Sequence, residues 1–290
     1  MSEASLGSLH RGLCSDGRVR FLAVEAKGLG RLIQTYHELN PSALRLAGEA
    51  MLSALFMSAY IKGEERITLQ LQGESPHCSF IADVDAEGGC RARFTPPKVL
   101  YKSGSPVDGL MLAIKADVEK EIYRGITKVD HTTIEQALGD HLRNSTQVDV
   151  LLRMAVKVDA EGALKFAGGV LLERLPHSDE HPSMSSEEFK RCFAGMNAHP
   201  VEDILVGLAF GKLGDSKVEL LENRSLQWRC SCGQARVEEV LYKLGPTELR
   251  VIREEDGQAE VNCHFCAVKY LVDGDRLDEL IARHERTAEN

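Results

Sequence analysis

The sequence lacks an apolar run of membrane-spanning length, and it lacks an excess of positive charge. No stretch reaches about eighteen apolar residues, and the N-terminal MSEASLGSLHRGLCSDGR has no apolar segment typical of a signal peptide. The 35 Lys and Arg residues are outnumbered by 44 Asp and Glu residues, which gives a formal net charge of -9. Nucleic-acid surfaces need concentrated positive charge. We therefore expect a cytoplasmic protein that binds neither membrane nor nucleic acid.

Familiar catalytic and nucleotide-binding motifs are also absent. The chain has no Gly-x-Ser-x-Gly elbow and no His-Glu-x-x-His helix. Gly28 and Gly30 form a Gly-x-Gly pair without the third glycine that dinucleotide binding requires. We therefore expect a protein that is not an enzyme.

Four cysteines in the last quarter of the chain form the strongest motif. Cys230-Ser-Cys232 is followed by thirty residues and then by Cys263-His-Phe-Cys266. Two close-spaced pairs on separate turns supply four thiolates at tetrahedral corners, which is the ligand set of a structural Zn²⁺ ion. Oxidation destroys a site made only of thiolates, because a cysteine in a disulfide no longer binds metal. The cluster thus predicts one bound Zn²⁺, either in a permanent structural site or in a site that oxidation destroys.

The fold prediction is an α+β N-terminal domain, a helical linker and a small C-terminal zinc-binding domain. Residues 1–176 carry period-two alternation, clearest over 147–159, with inserted helical patterns near 42–61 and 133–142. Residues 177–227 open with polar sequence and offer two short helical stripes, neither long enough to be stable alone in water. We expect this linker segment to dock on another surface or to melt.

The C-terminal domain, residues 228–290, is too small to be stable on its apolar core alone. It contains nine Lys and Arg residues against thirteen Asp and Glu residues, so it is a poor candidate for a DNA-binding finger. A structural zinc site contributes on the order of 10–16 kcal/mol of apparent free energy to such a domain. Losing the metal should therefore unfold the domain, and the linker segment would follow.

With these residues in view, the chain resembles the redox-regulated holdase family known as heat-shock protein thirty-three. The Cys-x-Cys pair with its long spacer carries the resemblance, together with GEAMLSALFMSAYIKGEERITLQLQGESP (Gly48 to Pro76). Further matching stretches are AGGVLLERLP, VEDILVGLAF and the strand-like ENRSLQWRCSC. The resemblance covers nearly the whole chain, although residues 143–151 match it less well. Four cysteines fall in no family motif, namely Cys14, Cys78, Cys90 and Cys192.

The resemblance implies that oxidation switches on a chaperone activity. The reduced protein would hold Zn²⁺ through Cys230, Cys232, Cys263 and Cys266 and would be inactive as a chaperone. Peroxide with mild unfolding, or hypochlorous acid, would join Cys263 to Cys266 and Cys230 to Cys232 and release the metal. The oxidised form would dimerise, bind unfolding client proteins without ATP under oxidative stress, and pass them to ATP-dependent chaperones. The client-binding part of this expectation rests on the resemblance alone.

Two alternatives from other classes remain open. A thiol-disulfide oxidoreductase would use Cys263 and Cys266, but its reactive pair normally lies at a helix N-terminus. Residues 267–272 instead have the pattern of a strand. A constitutive zinc-ribbon adaptor would keep its structure after treatment with peroxide. The four remaining cysteines outside the motif are expected to be buried or incidental thiols.

Overall fold

The chain divides into two units in a computed structural model that describes residues 6–15, 17–176, 184–213 and 216–288. The first unit spans Met1–Arg229 and the second spans Cys230–Asn290. The elements of the first unit are β1 (Ser8–Cys14), β2 (Val19–Glu25), α1 (Lys27–His37), α2 (Pro41–Met57), β3 (Arg66–Ser75), β4 (His77–Asp85), β5 (Gly89–Thr95), β6 (Val107–Ala116), β7 (Glu121–Thr132), α3 (Ile134–Thr146), β8 (Val150–Val158), β9 (Leu164–Arg174), α4 (Ser186–Cys192), α5 (Val201–Ala209), β10 (Lys212–Leu213), β11 (Ser216–Ser225) and β12 (Gln227–Trp228).

Two six-stranded sheets organise the first unit. Sheet A has the strand order β10-β11-β1-β2-β9-β8, and sheet B has the order β12-β5-β4-β3-β6-β7. Neighbouring strands pair in antiparallel fashion, with the exception of the short parallel pairing of β12 with β5. Antiparallel sheets with inserted helices agree with the predicted mixture of helix and strand.

Helix α2 forms the centre of the main core. The Asn40 side chain accepts a hydrogen bond from the Ala43 N–H at 2.7 Å, and Pro41 occupies the first turn, where its missing N–H costs nothing. Fourteen of the 17 helix residues are buried, so α2 is surrounded on all sides. The main core combines α2 with inward-facing residues of both sheets, such as Leu22 of sheet A and Leu69 of sheet B. The prediction of a largely buried helix here is confirmed.

The opposite face of sheet A is covered by α4 and α5. Phe21, Val170 and Leu172 of the sheet are buried against Phe189 of α4 and Ile204 of α5 in a second, smaller core. Burying apolar area on both faces of the sheet stabilises the docked position of these two helices. The expectation that both short helices dock on another surface is confirmed.

The sequence interpretation missed β1 and β10 of sheet A and recognised only the end of β11, in the strand-like stretch ENRSLQWRCSC. Strand β1 lies between β2 and β11, and it pairs with both along its length. Strand β11 falls in the segment that was predicted as a helical linker, and its first residues, 216–221, were not predicted as a strand. Six of the ten β11 residues are exposed and none is fully buried, so pairing with β1 rather than burial decides their conformation. The division of the chain at 176 and 227 stays a prediction.

The second unit contains α6 (Gln234–Tyr242), α7 (Pro246–Glu255), β13 (Ala259–Asn262), β14 (Lys269–Val272) and α8 (Gly274–Ala288). Strands β13 and β14 form an antiparallel hairpin. The small core includes Leu241, Leu249 and Leu277, one from each helix. In the sequence, the apolar stripe of Val237, Val240, Leu241 and Leu244 predicts a helix that Gly245 ends, and the stripe of Leu277, Leu280 and Ile281 predicts another. These helices are α6 and α8, whereas α7 was not predicted. Two residues of the first stripe, Val240 and Leu244, are about half exposed. None of the described helices is long and apolar enough to cross a membrane.

Candidate metal centre

The four predicted cysteines come together in the second unit. The sulfur atoms of Cys230, Cys232, Cys263 and Cys266 all lie within 4.8 Å of one another. The Sγ atoms of Cys230 and Cys263 are 3.6 Å apart, and those of Cys232 and Cys266 are 3.4 Å apart. Among the described residues, this is the one group of three or more Cys, His, Asp or Glu side chains with such geometry.

Local backbone structure brings the two cysteine pairs together. Cys263 and Cys266 lie on the turn between β13 and β14, which the Cys263 N–H closes by donating to the Val268 carbonyl at 2.9 Å. The Ala267 N–H donates to the Cys263 carbonyl at 3.0 Å, and Ala267 adopts a left-handed φ of 56°. Cys230 lies just before α6, with Cys232 two residues further along. A turn and an irregular segment, rather than two helices, therefore present the thiols.

The environment of Cys263 favours its thiolate. Burial by itself opposes ionisation, but hydrogen bonds from the backbone N–H groups of Cys266 and Phe265, together with the neighbouring thiols, lower the pKa of Cys263 to about 7. Burial raises the pKa of Cys230 and of Cys266. Cys263 therefore loses its proton more readily than these two neighbours.

Tyr270 is a further member of the site that sequence reasoning did not single out. Its hydroxyl group on β14 donates a hydrogen bond to the Sγ of Cys232 at 3.0 Å. The same hydrogen bond raises the pKa of Tyr270 to about 12, so the phenol stays protonated as the donor. Such outer contacts orient ligands and tune a metal site. The signal in the sequence was weak, because only strand alternation after Cys266 places Tyr270 near the cluster.

The arrangement fits a tetrahedral metal ion. A regular tetrahedron with Zn–S bonds of about 2.3 Å has S···S edges of about 3.8 Å. The Cys230–Cys263 and Cys232–Cys266 separations are slightly below that edge, and all the sulfur atoms lie within 4.8 Å of one another. Four thiol donors suit soft and borderline metals such as Zn²⁺. These four cysteines can therefore hold a metal ion.

The docked helices form the second region of functional interest. Along the predicted α5 stripe, Val201 and Ile204 are buried and Leu205 and Leu208 are half-buried. Polar contacts at the rim add to this apolar packing. Four such contacts join the helical segment to sheet A and its neighbouring loops: Arg18 Nη1 to Glu188 Oε1 at 3.0 Å, Ser186 Oγ to Asp149 Oδ2 at 2.5 Å, Arg153 Nη1 to the Met196 carbonyl at 2.9 Å, and Lys157 Nζ to Glu202 Oε1 at 2.5 Å.

Three cysteines outside the cluster are buried, as predicted. Burial raises the pKa of Cys14 and of Cys90 to about 12, and it also raises the pKa of Cys78. A thiol with a raised pKa in apolar surroundings reacts poorly with oxidants and metals. The side chain of Cys192 lies outside the described residues, so its predicted role stays a prediction.

Comparisons with known proteins identify the family of the chain. The family model described as Hsp33 protein matches residues 7–273. A 33 kDa chaperonin of Bacillus velezensis is 27% identical over 94% of this chain and 97% of its own length, and one of Bacillus cereus is 26% identical over 94% and 98%. The crystal structure of the 33 kDa chaperonin (heat shock protein 33 homolog) from Thermotoga maritima superposes with a TM-score of 0.83 at 20% identity, over 98% of this chain and all of that one. The chain therefore belongs to the Hsp33 protein family.

Proposed function

We propose that this protein is a redox-regulated, ATP-independent holdase chaperone. In the reduced state Cys230, Cys232, Cys263 and Cys266 hold one Zn²⁺ ion and the protein is inactive. The observation that carries the proposal is the convergence of these four sulfur atoms within 4.8 Å in a unit with a small core. Membership of the Hsp33 family, whose curated relatives are named 33 kDa chaperonin, supports the chaperone role.

Oxidation is the proposed trigger. Two thiolates and one molecule of hydrogen peroxide, with two protons, give one disulfide and two molecules of water. Two such reactions convert all four ligands and leave the metal without donors. The proposed pairs are Cys263 with Cys266 and Cys230 with Cys232, as the family resemblance implies.

Loss of the metal then acts on the remainder of the protein. The second unit loses its staple and unfolds, because its apolar core is small. Helices α4 and α5 are short, so they are stable only while docked. Their release uncovers the apolar face of sheet A, including Phe21, Val170 and Leu172. Such a surface binds the exposed apolar segments of unfolding proteins.

The proposal includes the partners and compartment of the active form. It dimerises when oxidised, holds unfolding clients and releases them to ATP-dependent chaperones in the cytoplasm. Catalysis is not part of the proposal. The Cys263–Cys266 pair lies on a turn between two strands, whereas a reactive Cys-x-x-Cys pair normally begins a helix. This geometry disfavours the thiol-disulfide oxidoreductase alternative.

The test measures zinc content and suppression of client aggregation in the same samples. We expect the reduced protein to hold one zinc per chain and to be inactive, and peroxide at raised temperature to expel zinc and switch on holding without ATP. Mass spectrometry of unreduced peptides then checks the two disulfide pairs. Zinc that stays bound would favour the constitutive adaptor, and turnover in an insulin-reduction assay would favour the oxidoreductase.

A further inference from the structure

A cavity opens beside α5 on the outer face of sheet A. It has a volume of about 440 Å³, and all its lining residues belong to the first unit. Phe21 and Ala23 of β2 and Val218 of β11 provide an apolar floor, and Leu205 and Leu208 of α5 provide a wall. Cavities of this size and character hold small organic ligands. We call it the α5 cavity.

One end of the α5 cavity is polar. Strand register places His10 opposite Ala23 and Ser8 opposite Glu25, so these side chains belong to the same face of the sheet as the apolar floor. The Nε2 of His10 lies 3.0 Å from the Oγ of Ser8. All three polar residues line the cavity, and no lysine or arginine is among its described lining residues. The charge at this end is therefore negative or neutral.

The charges at the polar end of the cavity disfavour anionic ligands and favour cationic ones. Burial lowers the pKa of His10, against the opposing influence of the Glu25 carboxylate, so the imidazole is neutral at pH 7. Glu25 is exposed and accepts hydrogen bonds only. A carboxylate or phosphate ligand would meet like charge here without a compensating cation. An ammonium group would meet an acceptor and an opposite charge.

The cavity is open to entering molecules. Leu220 at its mouth is 55% exposed, and Ala209 at the end of α5 is exposed as well. An apolar group that enters removes the half-buried Leu205 and Leu208 side chains from water. Each square ångström of apolar surface buried in this way contributes about 25 cal/mol.

We propose that the α5 cavity binds small organic cations with a compact apolar body, the body lying against Phe21 and Leu205 and the ammonium group lying beside Glu25. Because α5 forms one wall, the complete site exists only while α5 is docked. A ligand that binds only the docked state stabilises that state by mass action. Such cations would therefore hold α5 on sheet A.

The test uses the full-length reduced protein and two matched probes, tryptamine and indole-3-propionate. They share an indole body and differ in the sign of the charge at the end of the chain. We expect tryptamine to shift the methyl NMR signals of Ala23 and Leu205 and to bind at least about tenfold more tightly than indole-3-propionate. At ten times its Kd, tryptamine should slow hydrogen exchange of the α5 amides about tenfold.

Two variants distinguish the contribution of the Glu25 charge to binding from that of the cavity volume. Glu25→Gln keeps the shape and removes the charge, so the two probes should bind within about threefold of each other. Ala23→Leu fills the floor, so tryptamine binding should be lost while the circular dichroism spectrum and zinc content are unchanged. Equal affinity of the two probes for the unaltered protein, an unchanged preference in Glu25→Gln, or unchanged exchange of α5 would overturn the proposal. None of these measurements reads chaperone activity, so a failure here leaves the proposed function standing.

Discussion

The Nζ atom of Lys157 on β8 lies 2.5 Å from the Oε1 atom of Glu202 on α5, so one ion pair joins sheet A to a helix that covers it. The two side chains differ in exposure, at 56% for Lys157 and 28% for Glu202. The second carboxylate oxygen of Glu202 is buried without a hydrogen-bond partner. Docking of α5 therefore depends on Lys157 to compensate a partly buried charge.

Removing Lys157 should release α5 more than removing the charge of Glu202. Lys157→Met leaves a partly buried carboxylate unpaired and should weaken docking by on the order of 1–2 kcal/mol. Glu202→Gln removes that carboxylate charge and leaves an exposed lysine, so it should cost less than about 1 kcal/mol. Hydrogen exchange of the α5 amides measures both values.

The matched control for this pair is Lys165→Met, which breaks an ion pair with Asp159 that does not involve α5. It should leave exchange of α5 unchanged. Because undocking is the proposed active state, Lys157→Met should also lower the peroxide dose needed for activation. Equal exchange rates in Lys157→Met and in the unaltered protein would show that apolar packing alone holds α5.

Removing one thiol should abolish metal binding. Cys232→Ser takes away one of the four converging sulfur atoms, and we expect zinc content to fall below one half per chain and the helical signal of the second unit to be lost. The first unit should stay folded, because it has its own large core. Atomic absorption and circular dichroism make the measurement. Cys78→Ala, which alters a buried thiol elsewhere, should keep full zinc content.

Removing the Tyr270 hydroxyl should weaken the site without destroying it. Tyr270→Phe keeps the ring and deletes the hydrogen bond to Cys232 Sγ. Loss of such an outer contact typically costs about 10–100-fold in metal affinity. Competition with a chromogenic zinc chelator measures the change, and peroxide should release zinc faster. Tyr242→Phe, on a ring that stacks against His284, serves as the control; a similar loss of affinity there would refute a specific role for Tyr270.

The buried carboxyl group of Glu49 should make the first unit less stable as pH rises. Burial raises its pKa from an ordinary value of 4.5 to about 7, against hydrogen bonds from the Tyr101 hydroxyl and the Gly104 N–H. The folded state therefore binds a proton that the unfolded state has lost in this range. The stabilisation that the protonated Glu49 carboxyl group gives to the folded state is complete below the pKa of Glu49 in the unfolded chain. It is lost as pH rises through about 7, which lowers the free energy of unfolding by up to about 3 kcal/mol.

Glu49→Gln isolates this effect. The amide does not ionise and keeps the shape of the side chain, so the fall in stability between pH 5 and pH 8 should be smaller by that amount. Urea unfolding of both proteins across this range gives the comparison. Parallel pH profiles for the two proteins would show that Glu49 does not titrate in the folded state.

The sequence by itself determined the features that depend on neighbouring residues and on ligand chemistry. Alternation predicted β3, β4 and β8, the buried pattern after Asn40 predicted α2, and four cysteines in two short pairs predicted one metal-binding cluster. These signals are local, because side-chain period and donor type do not depend on distant parts of the chain.

Tertiary structure decided the features that need a partner from far along the chain. Strand β11 has little pattern of its own and forms because β1, some two hundred residues away, pairs with it. Tyr270 becomes part of the metal centre because the β13–β14 hairpin turns its hydroxyl toward Cys232, and the α5 cavity exists because α5 packs on β9 and β10 and leaves space above β2 and β11. Pairing and packing between distant segments follow from the three-dimensional arrangement, which no local pattern contains.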